Sequence, residues 1–419
     1  MSKPVSRREW AKTIGGTIAG LAVGAAAGYL AAPKAPPGAP VEKVVERTVT
    51  VTGPGITRTV TATPGAELPW IGDYLSAPPD PQWQQWPRRN PPYKIGLAIA
   101  WSGNPWRFMQ AAETKMMLDA LVSIGWVKEW KLLDAGGDVL EQKRNVSQLE
   151  EWGMDALIID PVRPDALIED IERVTAKGIF TAICIEAPIP APIGTLKNYG
   201  TIFNTNYYKS GYVQGKFVAE KLIEKHPPER RKVAVIRGIA GAPSNIQRWE
   251  GAKYAIDQYA DKGVEIVAAV DSGWSPPKAR EDAADIIAAH PEVRGWVTQG
   301  AMMMSSIPLA LVDAGKDPKD HVMTGEDFVF NLKLQRKYGF EMMMCGNPQY
   351  QQALSVWRAI QGLSGMPVRK IDFFDPPYLT TEQLPNLINL YGPIFEKLPD
   401  AAQLMTLLTP EQLMTVVKG

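Results

Sequence analysis

The sequence has no excess of either charge: Lys and Arg total 45, Asp and Glu total 45, and the formal net charge is zero. A balanced chain presents no global field to a polyanion, which argues against nucleic acid as a partner. Cysteine is scarce. Cys184 and Cys345 are the whole complement, which excludes a disulfide-built fold and any multi-cysteine zinc or iron–sulfur site. Histidine is nearly as scarce: His226, His290 and His321, the first two directly before a proline. A histidine-based metal site or triad has little to build on. Catalytic signatures are missing as well, with no G-x-G-x-x-G after a strand-like run, no G-x-x-x-x-G-K-[ST] and no G-x-S-x-G. Nothing demands a metal or cofactor, and none is expected. What is present is globular in composition. Of 419 residues, 45% are apolar and 21% charged, and roughly 150 residues per domain implies two or three domains.

The first 92 residues read as an address and a stalk. Ser6-Arg7-Arg8-Glu9-Trp10-Ala11-Lys12 precedes an uncharged, Gly/Ala-rich run from Thr13 to Pro33. Residues 1–32 resemble a twin-arginine export signal, with Trp10 where the motif usually has Phe. The arginines would stay on the inner face. The run is long enough, at about 1.5 Å per residue, to remain as a membrane anchor if uncleaved. Gly16, Gly20, Gly24 and Gly28 form a ladder suited to helix packing; more simply, glycine keeps a signal weakly hydrophobic. Either way the chain is expected outside the cytoplasm, at the cell surface or in a periplasm-like space. Residues 33–92 are rich in Val, Thr, Pro and Gly and predict an extended stalk. The Thr/Val alternation from Arg47 leaves a strand as the alternative.

From Tyr93 short apolar runs alternate with helix-period segments. Strands are predicted at Lys94–Ala100, Trp130–Leu133, Asp155–Ile159 and Ile179–Ile185, and again at Lys232–Arg237, Val264–Val270, Gly295–Gln299 and His321–Gly325. Helices fall between them. The fold class is therefore α/β, with two doubly wound parallel-sheet lobes. Residues 93–205 are expected to form lobe 1, with 347–370 returning to it. Residues 206–346 form lobe 2, and 371–419 a tail packing on the body. The methionine triplets Met302–Met304 and Met342–Met344 read as core filling.

In open α/β sheets ligands bind beyond the carboxyl ends of the strands. The polar and aromatic residues at those ends are Asn104, Trp106, Arg107, Glu186, Arg248, Trp274, Gln299, Glu326, Asp327 and Asn347. The set suits a small polyol. Indoles stack on the C–H faces of a sugar ring, carboxylates accept from hydroxyls, Arg donates, and amides do both. Glu326 and Asp327 fit poorly as a glycosidase pair, because adjacent residues of extended chain point in opposite directions.

With those residues in view, the chain resembles the type I periplasmic binding proteins, the ribose-binding-like substrate-binding components of ABC sugar transporters. The likeness runs from about Tyr93 to Gly365. Its marks include Ser102-Gly-Asn-Pro-Trp-Arg107, Asp155-Ala-Leu-Ile-Ile-Asp-Pro161, Arg248-Trp-Glu-Gly251, Trp296-Val-Thr-Gln-Gly300 and Thr324-Gly-Glu-Asp327. The resemblance implies a non-enzymatic receptor, expected to be a monomer, that takes a sugar between its lobes and passes it to an ABC transporter permease. It implies ligand contacts at Asn104, Trp106, Glu186, Arg248, Trp274, Gln299 and Asp327. It also implies three hinge crossings, near Phe203–Tyr207, Cys345–Pro348 and Gly365–Phe374. The pattern departs from the family at Glu186 (usually Asp), Ala187 (often Arg), Gly300-Ala301 (often Asn-Asp) and Gly346 (usually Gln), which tells against ribose itself. On this map Cys184 sits in lobe 1 and Cys345 at the hinge, too far apart to bridge. A sensor of the same fold signalling to a membrane receptor is the alternative. A carbohydrate-active enzyme ranks lower, and so does a transcription regulator, which would need a DNA-binding N-terminus.

Overall fold

The computed structural model describes residues 47–53, 56–62, 83–187 and 196–416. The twin-arginine segment, and with it the signal-or-anchor reading, lies outside them, as does most of 33–92. Among the described residues no helix is long and apolar enough to cross a membrane. Inside the expected stalk, β1 (Arg47–Gly53) and β2 (Ile56–Ala62) pair antiparallel from Arg47↔Ala62 to Gly53↔Ile56. Alternating Val and Thr favour a pleated ribbon, and pairing satisfies their backbone groups. The hairpin belongs to a unit ending at Ser76, and the body starts at Ala77.

The body opens with a short strand, β3 (Trp83–Gln84). Lobe 1 is then built on β4 (Tyr93–Ile99), β5 (Val127–Asp134), β6 (Ala156–Ile159), β7 (Phe180–Ile183) and β8 (Thr201–Thr205). Helices α1 (Pro105–Ser123), α2 (Val139–Glu151) and α3 (Pro164–Ala176) connect them. Almost every residue of β4, β6 and β7 is buried, as a parallel sheet covered on both faces requires. The core under the sheet gathers Tyr93, Ile95, Leu97, Ile158, Phe180 and Ala182.

The chain crosses at Asn206, which caps α4 (Tyr207–Lys225) by accepting from Lys209 N at 3.0 Å. Lobe 2 follows as β9 (Lys232–Arg237), α5 (Pro243–Asp257), β10 (Glu265–Asp271), α6 (Pro276–Ala289), β11 (Val293–Thr298), α7 (Ser306–Asp313), β12 (Val322–Gly325), α8 (Val329–Tyr338) and β13 (Glu341–Cys345). Its methionines divide between the two faces of the sheet. Met342 and Met344 enter one core with Trp296 and Phe340, while Met343 enters the other with Val233 and Val297. Helices α4 and α5 touch backbone to backbone. A Cβ on Gly211 would come within 2.0 Å of the Arg248 carbonyl oxygen. That approach sets where Arg248 stands.

A second crossing at Gly346–Tyr350 leads to α9 (Gln351–Leu363) on lobe 1, followed by β14 (Val368–Arg369) and β15 (Ile371–Phe374). β14 pairs with β3, and β15 lies parallel to β8. Gly365–Phe374 is therefore still lobe 1, and the third crossing falls later, at Asp375-Pro376-Pro377. Two consecutive prolines lack N–H groups and cannot extend a ladder, so the chain leaves the sheet there. It returns to lobe 2 as β16 (Tyr378–Thr380), antiparallel to β13. The remainder, with α10 (Leu384–Tyr391) and α11 (Pro410–Val416), is more than a cover for the body. Leu384, Phe395, Leu398, Ala402, Leu404, Leu408 and Leu413 are buried in the lobe 2 core. The two six-stranded sheets run β15-β8-β7-β6-β4-β5 and β10-β9-β11-β12-β13-β16.

Candidate functional site

Both sheets point their carboxyl ends at one cleft. Asn104 caps α1 by accepting from Arg107 N at 2.9 Å, which starts the helix so that its first turn faces lobe 2. Trp106, 5% exposed, donates from Nε1 to the Asn347 carbonyl at 2.7 Å. Arg107 pairs with Asp160, both nearly inaccessible, and also donates to Gln110 Oε1 at 3.2 Å. Its guanidinium stands 5.6 Å from the Trp101 ring centre.

Glu186 follows β7 through Ile185, held at φ 66°. Its carboxyl reaches across to lobe 2, accepting from Ser244 N at 3.0 Å and Ser244 Oγ at 2.5 Å. Ser244 lies in the first turn of α5, where N–H groups have no partner within the helix and the dipole favours an acid. Burial nevertheless dominates and lifts the Glu186 carboxyl to about 7.

From lobe 2, Arg248 stacks 4.5 Å from the Tyr207 ring centre, donates to the Gln299 carbonyl at 3.1 Å and lies 3.6 Å from Glu326 Oε1. Glu326 also accepts from Ala301 N at 3.0 Å, and burial lifts it to about 7 against the pull of Arg248. With its amide oxygen turned toward them, Asn347 accepts from Arg248 Nη2 at 3.0 Å and Trp106 Nε1 at 3.3 Å. Trp274 adopts φ 56° and donates to the Gln299 carbonyl at 3.0 Å. The buried Gln299 Nε2 has no partner among the described residues.

These groups leave a cavity of about 40 Å³, room for a few waters. Nine of the ten sequence-derived residues line the cavity: Asn104, Trp106, Arg107, Glu186, Arg248, Trp274, Gln299, Glu326 and Asn347. Asp327 does not. Its carboxylate turns away and accepts from Gln403 Nε2 at 2.9 Å and Met405 N at 2.6 Å. Glu326 and Asp327 are successive residues of extended chain, so one faces the cleft and the other the C-terminal segment. Trp101, Ile185, Tyr207, Ser244 and Ala301 complete the lining. The signal for Tyr207 was an aromatic directly after a helix cap at the first crossing. For Ser244 it was Pro243 at the start of a helix, which turns the next free N–H toward the cleft. No group of three or more His, Cys, Asp or Glu among the described residues is placed to hold a metal.

Residues 95–366 match the periplasmic binding protein domain. A ribose import binding protein of Bacillus subtilis is 23% identical over 186 residues, 44% of this chain and 56% of that protein. The aligned region thus spans about half the length of the curated relatives. Among solved structures, a solute-binding protein of a Mycobacterium smegmatis ABC transporter with bound glycerol has a TM-score of 0.60 at 19% identity, covering 71% of this chain and 97% of its own. One from Actinobacillus succinogenes with bound D-allose has a TM-score of 0.61 at 18% identity, covering 70% and 100%. At these identities the structures share the fold.

Proposed function

This chain belongs to the periplasmic binding protein family, and we propose that it is an exported receptor that captures a small sugar or related polyol between its lobes and delivers it to an ABC importer. One observation carries the reading. Indoles, amides, two guanidinium groups and two carboxyls from both sheets converge on a single cleft. In the closed arrangement Glu186 accepts from Ser244 of the opposite lobe. A ligand bearing vicinal hydroxyls replaces those donors while adding acceptors for the free Gln299 amide and for Arg248. Trp106 and Trp274 supply the apolar faces on which a ring stacks. Binding between lobes favours the closed form, a hinge-type population shift. The family is one of binding proteins, and the ligand is held without chemical change. The ligands of similar proteins, ribose and D-allose, set the size class.

A thermal-shift screen of the full chain against pentoses, hexoses, inositols and short polyols tests this. At least one compound should raise the midpoint in proportion to the logarithm of its concentration. A flat response across the panel would remove the sugar-receptor reading.

A further inference from the structure

Residues 399–412 lie beyond the matched domain, yet they touch both lobes and the hinge. On lobe 2 the segment is held by backbone and carboxylate. Val329 N donates to Ala402 O at 2.9 Å, Phe330 N to Asp400 O at 3.1 Å and Leu404 N to Asp327 O at 3.2 Å. The Asp327 carboxylate takes Gln403 Nε2 and Met405 N. On lobe 1 the anchor is α1. Glu113, fully buried, accepts from the Thr406 hydroxyl and from Leu407 N at 3.0 Å. Met109 Sδ accepts from Gln403 N at 3.3 Å. At the hinge, Gly346 N donates to Pro377 O at 2.7 Å, so the second and third crossings run side by side. Met405 fills the space beside them, and a Cβ on Gly346 would come within 2.6 Å of its sulfur.

We infer that this segment is a strap that biases the two lobes toward the closed arrangement, with Asp327 as its mooring on lobe 2 and Glu113 as its keeper on lobe 1. The first turn of α1 carries Asn104, Trp106 and Arg107 into the cleft, and the next turns carry Met109 and Glu113 to the strap. Drawing α1 away from lobe 2 therefore opens the cleft and strips Glu113 of its donors in one motion. The lobe 2 side has three backbone bonds besides the two to the Asp327 carboxylate, so the Glu113 side is where the strap parts. Glu113 and Thr406 thus act as positioning residues, remote from any ligand.

The full chain, with Leu140→Cys on α2 and Glu281→Cys on α6, both exposed, takes spin labels on the two lobes. The native cysteines are buried. Pulsed dipolar spectroscopy without added sugar then reads the inter-lobe distance. Glu113→Gln and, separately, Thr406→Val should each raise the population at the longer distance at least threefold. Thr406→Val removes one donor without disturbing the carboxyl, so it serves if Glu113→Gln folds poorly. A distance distribution unchanged in both variants, with or without a lower melting temperature, would reduce the segment to packing and overturn the strap. That result would leave the sugar reading standing.

Discussion

Replacing Gly238 by alanine puts the site's geometry under direct test. A Cβ at this position would lie 2.2 Å from Trp274 Cε2 and 2.3 Å from Nε1. Carbon atoms in contact keep about 3.5 Å, so the indole must retreat by about 1.3 Å. It has little freedom to do so. Its N–H is bonded to the Gln299 carbonyl at 3.0 Å and its backbone is left-handed at φ 56°. A displacement of that size breaks the hydrogen bond, worth about 1 kcal/mol, and adds an overpacking cost of about 1–2 kcal/mol. Gly238→Ala should therefore cost about 2–3 kcal/mol in urea unfolding. In a Trp274→Ala background the obstacle is gone, and the same substitution should cost within about 0.5 kcal/mol of nothing. The coupling energy of the double-mutant cycle is thus about 1.5–3 kcal/mol. An equal cost in both backgrounds would refute the argument that Gly238 exists to seat the indole.

Asp160→Asn leaves the Arg107 guanidinium buried without its counter-charge and should cost about 3–5 kcal/mol; Arg107→Met with Asp160→Leu should recover much of it, and a double variant as unstable as the single would contradict this. Glu186 and Glu326 are lifted by burial from 4.5 to about 7, so the folded state keeps protons that the unfolded chain releases. Their contribution is complete below about pH 4.5 and is lost as pH rises through about 7, by at most about 3 kcal/mol each. Stability should fall from pH 5 to pH 8, and the fall should shrink in Glu186→Gln and Glu326→Gln; identical slopes in wild type and variants would count against burial as the cause. Cys184 and Cys345 are both free and buried, so a thiol reagent should find none in the native protein and two after denaturation. Fewer than two after denaturation would point to a bridge.

Much of the fold was legible because parallel strands buried on both faces read as unbroken apolar runs. Lys94–Ala100 sits one residue from the observed Tyr93–Ile99, and Lys232–Arg237 coincides with β9. The cleft was legible because a doubly wound sheet puts its ligand at the strand ends, so position after a strand was itself the signal. Asp327 shows the limit. The alternation that sends it away from Glu326 was visible in the sequence, but its true partners, Gln403 and Met405, lie more than 75 residues downstream, and a contact at that separation leaves no local pattern. The third crossing was misplaced because β14 and β15 are two and four residues long, too short for periodicity to register. Pro376-Pro377 was the better marker. The tail's burial was hidden for a related reason. Its helices are short, and its leucines are spread over irregular chain that only the lobe 2 core organises.

In the proposed function one cleft, shared by two lobes, holds a hydroxyl-bearing ring against Trp106 and Trp274. Calorimetric titration of the full chain with D-ribose, D-allose, xylitol, myo-inositol and glycerol tests it most directly. At least one of them should give saturable heat, with affinity reduced at least tenfold, about 1.4 kcal/mol, in both Trp106→Ala and Trp274→Ala. No heat from any of the five, or heat that both variants leave unchanged, would contradict it.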